Sequence, residues 1–339
     1  MIRYTVFGLL YTRTCPLACR HCIIESSPKE TDKMTPAQAS EYLKIIPKYS
    51  DQVCFTGGEP LLYYNEILPL IRQAKELGLK ATLVTGGGWV SQKKPEIARE
   101  RMMGLKEAGL DTLLVSWDDY HEEFSPAENA LLLVEICKEI GLPNFVRGVM
   151  SAFGPNPRIE QKLVNIDVNY QKVSVLRLGT AATLPEEHFT FKAFAGKGGC
   201  STALQAVIEP DGNVYACCGP ARFAKKPSSP LVLGNTADED LDSILHRAVR
   251  DPLVEAISSI GPYGLFQLIK DEPSLRGLLP VRDRYTGICE LCLDMNDVPA
   301  VVQRIRERLD DDGVRMAIAA AHLYSQTSPE LRALTPSPM

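Results

Sequence analysis

The chain lacks what a membrane-spanning or nucleic-acid-binding protein needs. No apolar run approaches the roughly 18 residues of a membrane helix. The opening apolar stretch, Tyr4 to Tyr11, is far shorter, and no small-residue cleavage site follows it, so it reads as a strand and not as a signal peptide. Basic blocks are missing too. Lys and Arg total 37 against 42 Asp and Glu, a net charge of −5 with no interleaving of aromatic and basic residues, so no nucleic-acid partner is expected. With 45% apolar and 23% charged residues, a disordered or fibrous chain is excluded. Ten cysteines in 339 residues are too sparse for a disulfide scaffold, and they cluster. Cys15, Cys19 and Cys22 crowd together, Cys54 and Cys137 stand alone, and Cys200, Cys217, Cys218, Cys289 and Cys292 come late. The expectation is a soluble, cytoplasmic protein without membrane contact, in which clustered cysteines serve metal or redox chemistry.

The length fits about two domains. Up to about residue 180, short apolar runs rich in β-branched residues alternate with amphipathic segments. The runs are Thr5–Tyr11, Gln52–Thr56, Ala81–Thr85, Thr112–Trp117, Phe145–Met150 and Val173–Leu178, read as strands buried on both faces. Ile67, Leu70, Ile71, Ala74 and Leu77 form one helical stripe. Thr35-Pro36 with Gln38, and Ser125-Pro126 with Glu128, read as capping boxes. Six strand–helix units predict an α/β fold, a partial (βα)6 TIM-like barrel over residues 1–180. Beyond Gly179 the alternation stops. Ala203–Ile208 and Asn213–Cys217 flank the turn Pro210-Asp211-Gly212 as a hairpin, and helical patterns such as Val302, Ile305 and Leu309 follow. Residues 181–325 thus form a small C-terminal domain of hairpin plus helices, and 326–339 a flexible Pro/Ser-rich tail.

Cys15, Cys19 and Cys22, spaced Cys-x3-Cys-x2-Cys, sit in the loop after the first strand, at the rim where barrels place active sites. Three thiolates can hold three irons of a four-iron four-sulfur cubane and leave the fourth open for a ligand. A zinc site with His21 as fourth ligand, or three unrelated thiols, are the alternatives from spacing alone. The loop, ending Cys19-Arg20-His21-Cys22, resembles the radical S-adenosylmethionine superfamily, above all its members with a C-terminal cluster domain. Thr56-Gly57-Gly58-Glu59-Pro60, at the end of the second strand, is similar to that family's Gly-Gly-Glu-Pro segment. The resemblance implies a 4Fe-4S cluster on the triad and S-adenosylmethionine on its open iron. It assigns Gly57, Gly58, Glu59 and Pro60 to the methionine ammonium, His21 to the adenine as a packing surface, and Ser116 to the carboxylate or ribose. Arg147, a charge inside an apolar strand, suits the carboxylate. Thr85 opens Thr85-Gly86-Gly87, where the family often has Thr-Asn-Gly. Reductive cleavage would release a 5′-deoxyadenosyl radical that takes a hydrogen atom from a substrate carbon, with an external one-electron donor such as flavodoxin or ferredoxin.

Cys200, the Gly212-x4-Cys217 hairpin, Gly234-Asn235 with Leu241 and Ile244, and Cys289-x2-Cys292 resemble the SPASM and twitch domains of this superfamily. A full SPASM domain has seven cysteines. Five here imply one auxiliary 4Fe-4S cluster on Cys200, Cys217, Cys289 and Cys292, with a four-thiolate zinc site as the alternative. Neighbouring strand residues face opposite ways, so Cys218 is left over. It is a hydrogen-atom donor that would invert a stereocentre, a packing cysteine, or the ligand in place of Cys217. Cys54 and Cys137 read as core. Asp118 and His121, in the acidic segment Asp118 to Glu123, offer an acid and a proton acceptor at the active rim, or else a solvated helix start. His188, His246 and His322 receive no role. The leading expectation is C–H modification of a ribosomally made peptide, by epimerisation or cross-linking. Many such enzymes carry an N-terminal peptide-recognition domain, for which the early first strand leaves no room. A small-molecule dehydrogenase or epimerase of a sugar or aminocyclitol comes second, its auxiliary cluster accepting the electron. A non-catalytic iron–sulfur or zinc scaffold comes third.

Overall fold

The computed structural model describes residues 2–193, 196, 198–279 and 282–326. Six parallel strands carry the N-terminal part: β1 (Phe7–Thr12), β2 (Gln52–Gly57), β3 (Lys80–Thr85), β4 (Thr112–Ser116), β5 (Asn144–Met150) and β6 (Tyr170–Ser174). The helices between them are α1 (Pro36–Ile45), α2 (Tyr64–Glu76), α3 (Pro95–Glu107), the short α4 (Asp119–Glu122), α5 (Ala127–Ile140) and α6 (Pro157–Asn165). This is the partial barrel expected from the alternation, with its strand ends converging on one rim. The inner strands are buried unequally on their two faces. On β2, Val53 and Phe55 lie fully buried under the helices, while Cys54 and Thr56 face inward and are only half-buried. The pleat therefore gives the outer face to the hydrophobic core and the inner face to a chamber. Cys137 is in the core, but Cys54 is not: it stands on the inner side of the sheet, opposite Gly8.

Three sequence expectations shift. The sixth strand ends at Ser174, not Leu178, and among the described residues no α-helix separates it from β7, where short 3₁₀ turns at Gly179–Thr183, Glu186–His188 and Ser201–Leu204 stand instead. Past Ser174 the chain turns to the C-terminal part, where the Arg177 N–H donates to Thr286 Oγ1 at 3.2 Å and Thr180 N–H to the Cys22 carbonyl at 3.1 Å. The apolar residues Val175, Leu176 and Leu178 become chamber wall instead of strand. The box at Thr35 forms, with Thr35 Oγ1 accepting from the Gln38 N–H at 3.2 Å and Gln38 Oε1 from the Thr35 N–H at 2.9 Å. The box at Ser125 does not form. Pro126 is the cap residue, Ser125 Oγ accepts instead from Asn129 Nδ2, and Glu128 is drawn away to Lys162.

The hairpin does not stand apart from the barrel. β7 (Val207–Ile208) pairs in parallel with β1, and β8 (Asn213–Tyr215) and β9 (Val232–Asn235) extend the sheet to nine strands in the order β6-β5-β4-β3-β2-β1-β7-β8-β9. Buried Glu209, between Arg13 of the β1 end and Arg222, ties the two parts by charge. Beyond the sheet, α7 (Leu241–Ala248), α8 (Pro252–Ser259), α9 (Gly261–Ile269), α10 (Ile288–Asn296), α11 (Pro299–Leu309) and α12 (Asp312–Gln326) follow. From α8 onward they form a second core around Leu253, Ile257, Leu265, Met295 and Ile305. Residues 327–339 of the expected tail lie outside the described residues. Among the described residues no helix is long and apolar enough to cross a membrane.

Candidate active site: two thiol cavities sharing a wall

The triad sits in the loop leaving β1, held against the end of β2. The Gly58 N–H donates to the Thr12 carbonyl at 2.7 Å and the Glu59 N–H to the Thr14 carbonyl at 2.9 Å. A side chain on Gly57 would overlap the Thr12 carbonyl oxygen, and one on Gly58 the Thr14 carbonyl oxygen. The two glycines are thus required by the approach of the chain's own cysteine loop. Cys15 and Cys19 are buried with Leu17, and Cys22 packs against them. Burial pushes the Cys15 thiol up to about 12 and Cys19 well above its usual range, with no lysine or arginine among the described residues countering it. The Leu17 and Ser26 N–H groups point at Cys15 Sγ and Cys22 Sγ, each 3.4 Å away. Two buried thiols and a half-buried one, with amide donors on two of the three sulfurs, suit a metal cluster, which supplies the positive charge that thiolates need.

The triad opens into a chamber of about 410 Å³ at the strand ends. Thr56, Gly57, Gly58, Ser116, Asp118, His121 and Arg147 line it together with His21, and so does Cys218 from the hairpin side. Glu59, Pro60 and Thr85 do not line it. The Glu59 carboxylate turns back into the protein and accepts from Leu61 N–H at 3.1 Å, Thr85 Oγ1 at 2.8 Å and Gly86 N–H at 3.1 Å. It clamps β2 to β3. Burial raises Glu59 to about 7 against these three donors. Arg147 reaches the chamber from β5, donating to Gln171 Oε1 at 3.0 Å over the Phe145 ring.

Asp118 is almost fully buried, not part of a solvated loop. It caps α4 through the Tyr120 and His121 N–H groups, and its other oxygen accepts from Val149 N–H at 2.8 Å. Burial pushes its carboxyl up, but His121, His21 and those amide donors outweigh it and hold it at about 2. His121 Nδ1 lies 2.9 Å from Asp118 Oδ1, too poorly aligned for a hydrogen bond. His21 stacks on Tyr120 at 4.9 Å, and burial lowers it to about 4, so it is a neutral ring and not a base. Cys19, His21 and His121 also place ligand atoms within 4.8 Å of one another, a set that omits Cys15 and Cys22. His188, without an assigned role in the sequence, sits 3.1 Å from the Tyr120 hydroxyl.

A second, apolar cavity of about 40 Å³ is lined by Cys200, Cys217, Cys289 and Cys292, amid Ala203, Leu231, Ile257 and Leu293. The four thiols come from a 3₁₀ turn, the hairpin and α10. Burial pushes Cys289 up to about 12 and raises Cys217 and Cys292 strongly. Asn296 Nδ2 lies 3.6 Å from Cys292 Sγ. Cys217 and Cys218 part company at the end of β8: Cys217 faces this cavity and Cys218 the chamber, where its Sγ donates to Gln205 Oε1 at 3.2 Å. Cys289 lines both. Gln205 and Thr202 were not legible as site residues. The run Ala203–Ile208 reads as a hairpin arm, but its strand is only Val207–Ile208, and Ser201–Leu204 is a 3₁₀ turn that sets Thr202 and Gln205 beside Cys200.

The profile of the Radical SAM superfamily matches residues 9–159, and that of an iron–sulfur cluster-binding domain, SPASM, matches residues 200–256. YydG of Bacillus subtilis (strain 168), whose name assigns it to peptide biosynthesis, is 21% identical over 288 residues, covering 82% of this chain and 88% of YydG. The PqqA peptide cyclase of Rhodopseudomonas palustris (strain ATCC BAA-98 / CGA009) is 31% identical over 111 residues, 31% of this chain and 26% of the cyclase. Among solved structures, native anSMEcpe with bound AdoMet and Cp18Cys peptide superposes with a TM-score of 0.51 at 14% identity, covering 89% of this chain and 99% of that one. That likeness is one of fold.

Proposed function

We propose that this chain, which belongs to the radical S-adenosylmethionine superfamily and carries an iron–sulfur cluster-binding domain behind its barrel, epimerises a residue of a ribosomally made peptide. The observation that carries the reading is the divergence of Cys217 and Cys218 into separate cavities. When bound, the barrel cluster and S-adenosylmethionine supply a radical able to remove a hydrogen atom from an unactivated carbon. Cys15, Cys19 and Cys22 would hold that cluster, and Ser116, Arg147 and the Gly57-Gly58 backbone would hold the methionine end. His21 and Tyr120 offer a stacked wall for the adenine.

Cys218 enters the chamber from the hairpin side. Although the residue as a whole is exposed, the protein around its sulfur, with Cys54 adding to it, pushes its thiol up to about 11, so an S–H bond is present at neutral pH. That bond would break as a C–H bond forms on the opposite face of the substrate radical, leaving a sulfur radical on Cys218. One electron and one proton restore the thiol, the electron from a donor of the flavodoxin or ferredoxin class. YydG and the PqqA cyclase, both named for peptides, support the substrate class. Cys289, common to both cavities, favours a second reading: dehydrogenation of a sugar or aminocyclitol, the substrate radical losing its electron across that wall.

The test is turnover in deuterium oxide with short peptides encoded beside the gene. The wild type should release 5′-deoxyadenosine and place one deuterium in the peptide. Cys218→Ala should keep the first product and lose the second. Undiminished deuterated peptide from Cys218→Ala would sink the donor role, and oxidation unaffected by it would favour dehydrogenation.

A further inference from the structure

We infer that the free edge of β6 is the docking rail for the peptide, which adds there as an extended strand running into the chamber. The inference rests on the reading that the substrate is a peptide. β6 ends the nine-stranded sheet, with β5 on one side only. The register Val146↔Tyr170 to Met150↔Ser174, with Val146 N–H donating to the Asn169 carbonyl and Val175 N–H to the Met150 carbonyl, turns the backbone of Gln171 and Val173 toward β5. The alternate residues Tyr170, Lys172 and Ser174 therefore aim their N–H and C=O groups outward. Among the described residues nothing hydrogen-bonds to them.

This edge is little guarded. Native sheets blunt such edges with charge, proline, bulges or a covering element. Here Lys172, Val173 and Ser174 are all exposed, and the one charge that β6 itself carries, Lys172, is paired with Glu160. The edge also leads somewhere: Val173, Ser174, Val175 and Leu176 line the same chamber as the cysteine triad and Cys218. Outward groups repeating every second residue, roughly 7 Å apart, match the backbone of an extended polypeptide and no small metabolite. Backbone pairing fixes the peptide's depth and leaves side chains to the chamber walls.

The test starts from a displayed library of random twelve-residue peptides, selected anaerobically on the reconstituted full chain with S-adenosylmethionine. The best binder is resynthesised with each backbone N–H methylated in turn. On the wild-type chain, affinity should fall at every second position, by about tenfold for each lost hydrogen bond. Lys172→Pro, which removes an outward N–H and spares the pairing to β5, should weaken binding by a similar factor, and Lys172→Ala should not. A methylation profile without alternation, or binding indifferent to Lys172→Pro, overturns the rail and leaves the peptide reading standing. A library that yields no binder overturns the peptide reading itself. A dimer of the free chain that Lys172→Pro dissolves assigns the edge to a second copy instead.

Discussion

The two thiol sites differ in what surrounds them more than in their ligands. The triad borders a wide chamber with hydroxyl, carboxylate, imidazole and guanidinium groups at its walls, whereas Cys200, Cys217, Cys289 and Cys292 close on a small cavity of alanine, leucine, isoleucine and proline. Three thiols beside an open polar space leave room for an exchangeable ligand; four in a dry pocket leave none. The segment just after β8 feeds both, with Cys217 on the small cavity and Cys218 on the chamber. One cluster is thus built to meet substrate and cofactor, the other to stay shut.

The largest effects test that division directly. The reconstituted chain should carry about eight irons. Replacing Cys15, Cys19 and Cys22 together by Ala should halve the count and abolish cleavage of S-adenosylmethionine; Cys289→Ala with Cys292→Ala should halve it from the other side. Cys217→Ala should disturb the second cluster, while Cys218→Ala should leave both iron counts intact. Iron lost on Cys218→Ala, and not on Cys217→Ala, would exchange their roles. About four irons with one zinc would make the small cavity structural.

The triad was legible because metal and radical chemistry demand thiols at tight spacing, whereas the late cysteines, apart from Cys289 and Cys292, are scattered and were grouped only through the resemblance to cluster-binding domains. The barrel was legible because β-branched runs and helical stripes have distinct periods. What was hidden depended on long-range placement. That β7 pairs with β1 follows from two residues of contact, Gly8 with Val207 and Leu9 with Ile208, which no local pattern announces. Val175 to Leu178 has a strand's composition, yet its apolar residues wall a chamber. Glu59 sits in a motif suggestive of ligand binding, but its carboxylate faces Leu61, Thr85 and Gly86, a choice set by where β3 ends.

Backbone substitutions should separate the sites next. Gly58→Ala drives a side chain into the Thr14 carbonyl oxygen beside the triad, and Gly199→Ala drives one into the Ser258 carbonyl oxygen beside Cys200. Each should cost about 1–3 kcal/mol and impair loading of its own cluster only, measured by thermal unfolding and iron content. Glu59 gives a pH signature. Its folded value of about 7 lies above the ordinary carboxylate value, so the folded chain holds a proton that the unfolded chain has released. Its contribution is complete below about pH 4.5 and is lost as pH rises through about 7. Denaturant unfolding from pH 4.5 to 8 should show that loss, and Glu59→Gln, although less stable by about 1–3 kcal/mol through facing three donors, should flatten it. An unchanged slope in the variant would assign the dependence elsewhere.

The smallest expected effect probes the closed cavity from within. Asn296 donates to the Cys292 carbonyl oxygen at 2.8 Å, which fixes its amide where the same nitrogen lies 3.6 Å from Cys292 Sγ. A donor near a cluster sulfur withdraws electron density and eases reduction. Asn296→Leu should therefore make the potential of the second cluster more negative without changing the iron count, while the barrel cluster keeps its potential. The two signals are read in one redox titration followed by electron paramagnetic resonance. A shift in both potentials would mean that the wall at Cys289 couples the sites electrically, and the division between an open cluster and a closed one would then be geometric only.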